Sequence, residues 1–423
     1  MNHMSKKISL TQDNILFLSS VVIIALGQLA NKMNSNALLL LPLMIATGVS
    51  FLLQCDYLLP FLFFLIAPNR LLTLGPISAP TIIMLVGIVR SKLTFRKSFF
   101  LEAFLLCSYS LLTIFIDSPI IFDTIKTVLL LLFINQLSLD IDANKQFQSC
   151  MKSVIEGCIV SFILSALLDP NSFKETNRFA FSSNGQNVLG ILCAVLAISL
   201  IAEMVQKGRE LNLKIGLSLG AILMIGLLTG SRSFLLAVAV GAVSILTIEL
   251  LRINVGKAAK MMAICVVVCF IAFAAYSNST FIHGYVDKMI YRMTKLQNND
   301  VSNGRYDLWW QYLKFFRENP VYLLFGNMNP QNHGIDLVAH NMIIEQIADF
   351  GIVGSIIVVI MYIDVFLNIL RENLCKISWR YLLPPLLAFL SASMVSHTLL
   401  GVPQTMIMYM CFIGAINKRR ERV

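Results

Sequence analysis

The stretch His340–Leu370, HNMIIEQIADFGIVGSIIVVIMYIDVFLNIL, decides how the rest of the chain is read. From Gly351 onward it carries one charged residue, Asp364, in a run long enough to cross a hydrocarbon core, which takes about 20 residues. It opens on His340-Asn341, nine residues before Gly351-Ile352-Val353-Gly354. An imidazole therefore stands at a water–bilayer boundary, where an ionisable group is costly unless it pairs, binds or reacts.

Outward from this stretch the pattern repeats. Apolar segments fall near 14–31, 36–54, 57–67, 71–89, 99–116, 120–138, 152–168, 186–203, 213–228, 233–251, 259–276, 341–370, 381–398 and 402–416, with 57–67 short for a span. The 423 residues are 57% apolar and only 13% charged, where soluble domains carry about 25% charged residues. Mean hydropathy is +0.76. These values exclude a soluble protein and predict an all-α, polytopic integral membrane protein. The expectation is a single membrane domain over 1–423, with about 12–14 transmembrane helices.

Basic residues orient it. With the N-terminus in the cytoplasm, the inner gaps collect Arg90, Lys92, Arg96 and Lys97, then Lys207 and Arg209, then Arg252, Lys257 and Lys260. Arg371, Lys376, Arg380 and the tail Lys418–Arg422 join them. The short outer gaps hold Lys32, Arg70, Lys126, Lys174, Arg178 and Arg232. Cationic residues favour the cytoplasmic side, so both termini are expected there. The net charge of +10 reflects this orientation and is no argument for nucleic acid. Lys6 and Lys7 before the apolar run Ile15–Ala30 resemble a signal peptide. No small-residue cleavage site follows, which predicts an uncleaved first helix. The nine cysteines are scattered and none lies in the long polar segment, so no disulfide framework is expected there. No CxxC or HExxH motif is present, so neither a metal nor another cofactor is expected.

That polar segment, 277–340, falls on the outer face and is expected to form one large periplasmic loop. Within it Asn303–Asn319, NGRYDLWWQYLKFFREN, reads as an amphipathic helix stopped by Pro320. Its apolar face is Leu308, Tyr312 and Phe316, or alternatively Trp309, Leu313 and Phe316. The aromatic content suits the headgroup layer, which suggests a lid resting on the bilayer.

Three cationic positions share this face with His340. Arg232 follows Thr229-Gly230-Ser231 at the start of an apolar segment; Ser231 is placed to cap that helix, whose free amides favour an anion. Its guanidinium adds a planar fork suited to phosphate. Arg178 lies in the gap NRFAFSSNGQNVLG, just before a helix starting near Asn187. Arg305 opens the amphipathic helix and could equally anchor it to phospholipid. His340, with Asn341 beside it, could accept a hydroxyl proton, since an unperturbed imidazole titrates near 6.5. Asp336, Glu345 and Asp349 are close enough in sequence to compete as bases, and His333 is the nearest rival histidine. Guanidiniums that neutralise a diphosphate beside a base at the bilayer surface point to chemistry on a lipid-linked anion, with arginines where a metal would otherwise serve.

Three stretches, NRFAFSSNGQNVLG, TGSRSFLL and the block NGRYDLWW…NP…LLFGNMN…AHNMIIEQIADFGIVG, resemble the O-antigen polymerase/O-antigen ligase superfamily of bacterial envelope glycosyltransferases. The resemblance covers roughly 176–360. It implies a GT-C-type helical membrane fold of the inner (cytoplasmic) membrane with a periplasmic active site. It also implies metal-independent, inverting use of undecaprenyl-diphosphate-linked oligosaccharide. Mapped by motif, the family's loop histidine corresponds to His340 and its donor-phosphate arginines to Arg232 and Arg178. Where the family turn after Arg178 carries glycine and NPN, this chain has SSNGQN, which leaves Asn184 and Asn187 as competing partners. The acceptor would be a second lipid-linked glycan in a polymerase, or lipid A–core in a ligase. A chain-length regulator is a further expected partner. The absence of a feature dedicated to lipid A–core favours polymerase. A lipid-linked oligosaccharide flippase is the rival from another class; it would call for charged or broken helices at the membrane midplane and some internal repeat, whereas the notable ionisable residues here collect at one face, with Glu102 and Asp364 as exceptions that fall within apolar segments.

Overall fold

A computed structural model describes residues 11–91, 97–116, 121–138, 143–168, 179–181, 185–207, 213–251, part of 256–287, and 304–335, 339–372, 378–395 and 401–416. Arg178, Asn184, Asp336 and residues 288–303 of the expected loop lie outside the described residues.

The described chain is helical. In order it forms α1 (Gln12–Lys32), α2 (Asn36–Leu52), α3 (Cys55–Leu65), α4 (Ala79–Arg90), α5 (Lys97–Thr113), α6 (Ile121–Ser138), α7 (Ala143–Leu168) and α8 (Gln186–Lys207). These are followed by α9 (Leu213–Leu228), α10 (Arg232–Leu251), α11 (Arg305–Glu318), α12 (Pro320–Phe325), α13 (Met342–Glu372), α14 (Trp379–Ser393) and α15 (Val402–Ala415). A two-residue hairpin pairs Thr73–Leu74 antiparallel with Ile77–Ser78, Thr73 opposite Ser78. The expected all-α polytopic membrane architecture is what forms. Five of the described helices are long and apolar enough to cross a bilayer, within Gln12–Lys32, Lys145–Leu168, Gln186–Val205, Arg232–Leu251 and Met342–Leu370.

Burial shows where lipid replaces water. Along the second half of α13, Ile352, Ile356, Val359, Ile360, Ile363 and Leu367 are exposed at three-to-four spacing. Val358, Met361, Val365 and Ile369 on the opposite side are buried. A helix with apolar residues all round suits a bundle wrapped in hydrocarbon. At the centre stands α8, buried at every residue from Leu189 to Val205. The segment at 57–67 resolves into α3, an 11-residue helix whose residues Leu58 to Leu65 are all buried. At 1.5 Å per residue it reaches about 16 Å, half of a hydrocarbon core, so it is a core helix. Between α10 and α14, Arg380 Nη2 meets Glu249 Oε1 at 2.7 Å, and Glu249 is fully buried.

Two departures from the sequence reading position the site. The segment expected as one span over 341–370 is broken at Gly351, whose φ of 61° and ψ of −178° interrupt the helix and leave Met342–Phe350 as a separate arm. The amphipathic helix, α11, turns Leu308, Tyr312 and Phe316 inward, which settles the choice of face. Those residues form a second small core with Met328, Ile335, Ala339 and Ala348. Tyr312 and Phe316 thus pack on protein, while Tyr306 and Trp310 keep the exposed side.

Candidate functional site

The Thr229–Arg232 turn is held by short-range bonds. Gly230 takes a φ of 56°, which glycine adopts without steric cost. The Thr229 hydroxyl donates to the Gly226 carbonyl at 2.6 Å and accepts from the Ser231 amide at 3.3 Å. The Ser231 hydroxyl donates to Asn187 Oδ1 at 3.1 Å and shares a 2.6 Å bond with Ser233. Asn187 lies in the first turn of α8, and Gly190 one turn later admits the close approach. A Cβ there would stand 3.0 Å from Ser231 Cβ and 3.1 Å from Thr229 Oγ1. The Phe179 amide donates to the Leu228 carbonyl at 2.8 Å. Two gaps far apart in sequence, 179–187 and 228–232, are therefore tied together, and half-buried Arg232 begins α10 from that knot.

Arg305 comes from the amphipathic helix α11. It is the first residue of α11, after Gly304 at a φ of 81°, and its Nη1 donates to the Val395 carbonyl at 2.6 Å. Partial burial, and after it the charge of Arg232, lower the Arg305 pKa. The charge of Arg232 thus reaches Arg305 from a separate element, and an anion near both would relieve it.

The same helix reaches the histidine loop. Trp309 Nε1 donates to the Ala339 carbonyl at 2.8 Å, one residue before His340. His340 holds a φ of 51°, uncommon for a residue with a Cβ. Its amide donates to Glu345 Oε1 at 2.7 Å. The sequence suggests that His340 opens the helix; the cap is instead Asn341, whose Oδ1 accepts from the amides of Ile343 and Ile344 at 3.0 and 3.2 Å. Glu345 and Asp349, the described competitors as bases, sit beside Tyr312. Burial first, and then these two carboxylates, push the Tyr312 pKa up. Glu345 is 8% exposed and fixes the backbone of His340. His333 packs its ring against Phe315 and Tyr322, with centroids at 4.7 and 5.0 Å.

The GxxG pattern has a packing explanation. Gly326, at a φ of 64°, and Gly351 press backbone on backbone, so that a Cβ on either would overlap the other segment. Beside this crossing the amides of Asn327 and Met328 donate to the carbonyls of Asp349 and Ala348 at 2.8 and 3.0 Å. Gly354 faces the Tyr109 ring. The Tyr109 hydroxyl lies 2.7 Å from the carbonyl oxygens of both Phe325 and Phe350, and Asn327 Nδ2 donates to the Thr113 carbonyl. Tyr109, Thr113 and Asn327 were missed in the sequence reading. Gly326-Asn327 carried a turn signal, whereas nothing local marked Tyr109.

Residues 217–359, about a third of the chain, match the family model described as O-antigen ligase. No curated protein and no solved structure matches. The matched stretch contains Arg232, Arg305, His340 and the Gly351 break, with Asn187 and Arg178 upstream of it. This match over the cationic knot, the lid helix and the histidine loop supports placing the chain in the O-antigen ligase/polymerase superfamily.

Proposed function

We propose that the chain is a surface-polysaccharide polymerase of the bacterial inner membrane. In this reading it joins undecaprenyl-diphosphate-linked repeat units on the periplasmic face, without a metal and with inversion. Arg232 and Arg305, with Arg178 as a third candidate outside the described residues, hold the donor diphosphate. His340 takes the proton of an acceptor hydroxyl as its oxygen attacks the anomeric carbon from the face opposite the diphosphate. The bond from that carbon to the phosphate oxygen breaks, and undecaprenyl diphosphate leaves with the electron pair. Cations fixed where charge develops are worth several kcal/mol, and a positioned base about 10²–10⁴-fold. Ser231 and Asn187 support the Arg232 turn, and Asn341 supports the His340 loop.

One observation carries this reading: a single lid helix brings Arg305 to Arg232 and, one turn on, ties Trp309 to the carbonyl next to His340. The description of the matched family favours a second reading, a ligase that transfers the glycan to lipid A–core. A lipopolysaccharide gel from a strain lacking the gene separates them. Core carrying one repeat unit identifies a polymerase. Core without any repeat, and glycan accumulated on undecaprenyl diphosphate, identifies a ligase. Full ladders restored by both His340→Ala and Arg232→Ala would overturn the catalytic assignment.

A further inference from the structure

A cavity of about 290 Å³, lined by both polar and apolar side chains, lies at the end of the bundle where α8 begins. Its lining includes Asn69, Arg70, Lys126, Gly185, Val188 and Gln404. On α8 it is met by 188, 189 and 192, whereas Asn187 and Gly190 face the Ser231 turn. At 3.6 residues per turn these two sets point about 180° apart. The first turns of α8 therefore lie between this cavity and the Arg232 knot.

Its chemistry is mixed in a specific way. Arg70 and Lys126 bring positive charge. Gln404 is 7% exposed, and its Oε1 is buried without a hydrogen-bond partner. The amide packs over Gly401, where a Cβ would overlap its oxygen, so the side chain is held at the start of α15. Asn69 Oδ1 is likewise buried and unpartnered. A buried acceptor is expensive to leave unmade, and these two call for donors. Cations beside carbonyl oxygens that lack donors suit a ligand with both negative charge and hydroxyls.

We propose that this cavity binds the sugar-phosphate end of the acceptor substrate, separately from the donor diphosphate at Arg232 and Arg305. The proposal rests on the transfer reading above. It predicts two anion sites on opposite faces of one helix, one for each substrate of a glycan transfer.

The test is equilibrium binding of an undecaprenyl-diphosphate-linked repeat unit to the full chain in phosphatidylcholine nanodiscs, read by native mass spectrometry. Wild type should take a first and a second equivalent. Arg70→Gln/Lys126→Gln should weaken the second by about tenfold or more while the first is retained, as loss of charge-assisted hydrogen bonds requires; Gln404→Leu, which removes a buried acceptor, should weaken the second about threefold to tenfold. The retained equivalent shows that these variants are folded. Arg232→Gln/Arg305→Gln should keep the cavity equivalent and lose the other. Glucose 1-phosphate should compete for the cavity equivalent. Identical titrations for wild type and the cavity variants would overturn the proposal. So would displacement by added phosphatidylglycerol but not by glucose 1-phosphate, which would make the cavity a phospholipid site. No binding by wild type at all would instead remove the transfer reading beneath it.

Discussion

At the scale of single residues, the donors and acceptors around His340 constrain the proposed chemistry more than the imidazole does. Glu345 accepts the His340 amide and Asn341 caps the following helix, so the loop is fixed before any substrate arrives. His340→Ala should cut turnover by about 10²–10⁴-fold, the contribution of a positioned base, without lowering the melting temperature. Turnover of purified protein in nanodiscs, alongside thermal unfolding, checks both halves. Arg232→Lys should recover only part of what Arg232→Ala loses, because an ammonium keeps the charge but not the planar fork. Full recovery would mean that charge alone suffices. His340, Arg232 and Arg305 could be named from sequence because each stands where an apolar run meets a polar one. That the charge of Arg232 reaches Arg305 could not, because it depends on how α11 packs against the rest of the chain.

At the scale of elements, the amphipathic helix α11 and the broken helix α13 position the histidine loop. Trp309→Phe removes the hydrogen bond to the Ala339 carbonyl but keeps the ring, which should cost about 0.5–1.5 kcal/mol locally. Faster amide exchange across 339–345 with the melting temperature little changed is the expected signature; unchanged exchange would show that the bond does not hold the loop. Gly351→Ala meets both a φ of 61° and the backbone of Leu324 and Gly326. It should destabilise by about 1–3 kcal/mol or more, since strain and overlap add. Gly220→Ala, in α9 with open space around its Cα, should be neutral or gain about 0.5–1 kcal/mol. Thermal melts of the two variants in one detergent decide this. The period of the amphipathic stretch allowed two faces. Choosing between them took the second core, which draws Tyr312 towards Ala339 and Ala348.

At the scale of the whole molecule, stability in lipid rests on a packed interior with a few paired polar groups. Arg380→Met would leave Glu249 fully buried without its partner and should cost about 3–5 kcal/mol, whereas Glu249→Leu/Arg380→Met should recover most of it. Equal melting losses in the single and double variants would count against a net burial penalty. The metal-independent reading predicts that EDTA leaves glycan transfer unchanged, and loss of transfer restored by Mg²⁺ would refute it. Composition and apolar run length determined by themselves that the chain is an all-α polytopic membrane protein, because hydrocarbon demands helices of a minimum length and admits few charges. The motifs in 217–359 likewise carried the resemblance that the family match supports, being local patterns of residue type and spacing. Only the tertiary structure decided that the segment near 57–67 forms the core helix Cys55–Leu65 and that 341–370 breaks at Gly351. It also decided that α8 stands between a partly polar cavity and the arginine knot. These depend on which apolar faces meet, and hydrophobic burial is non-directional: it fixes which residues leave water and leaves their partners to packing.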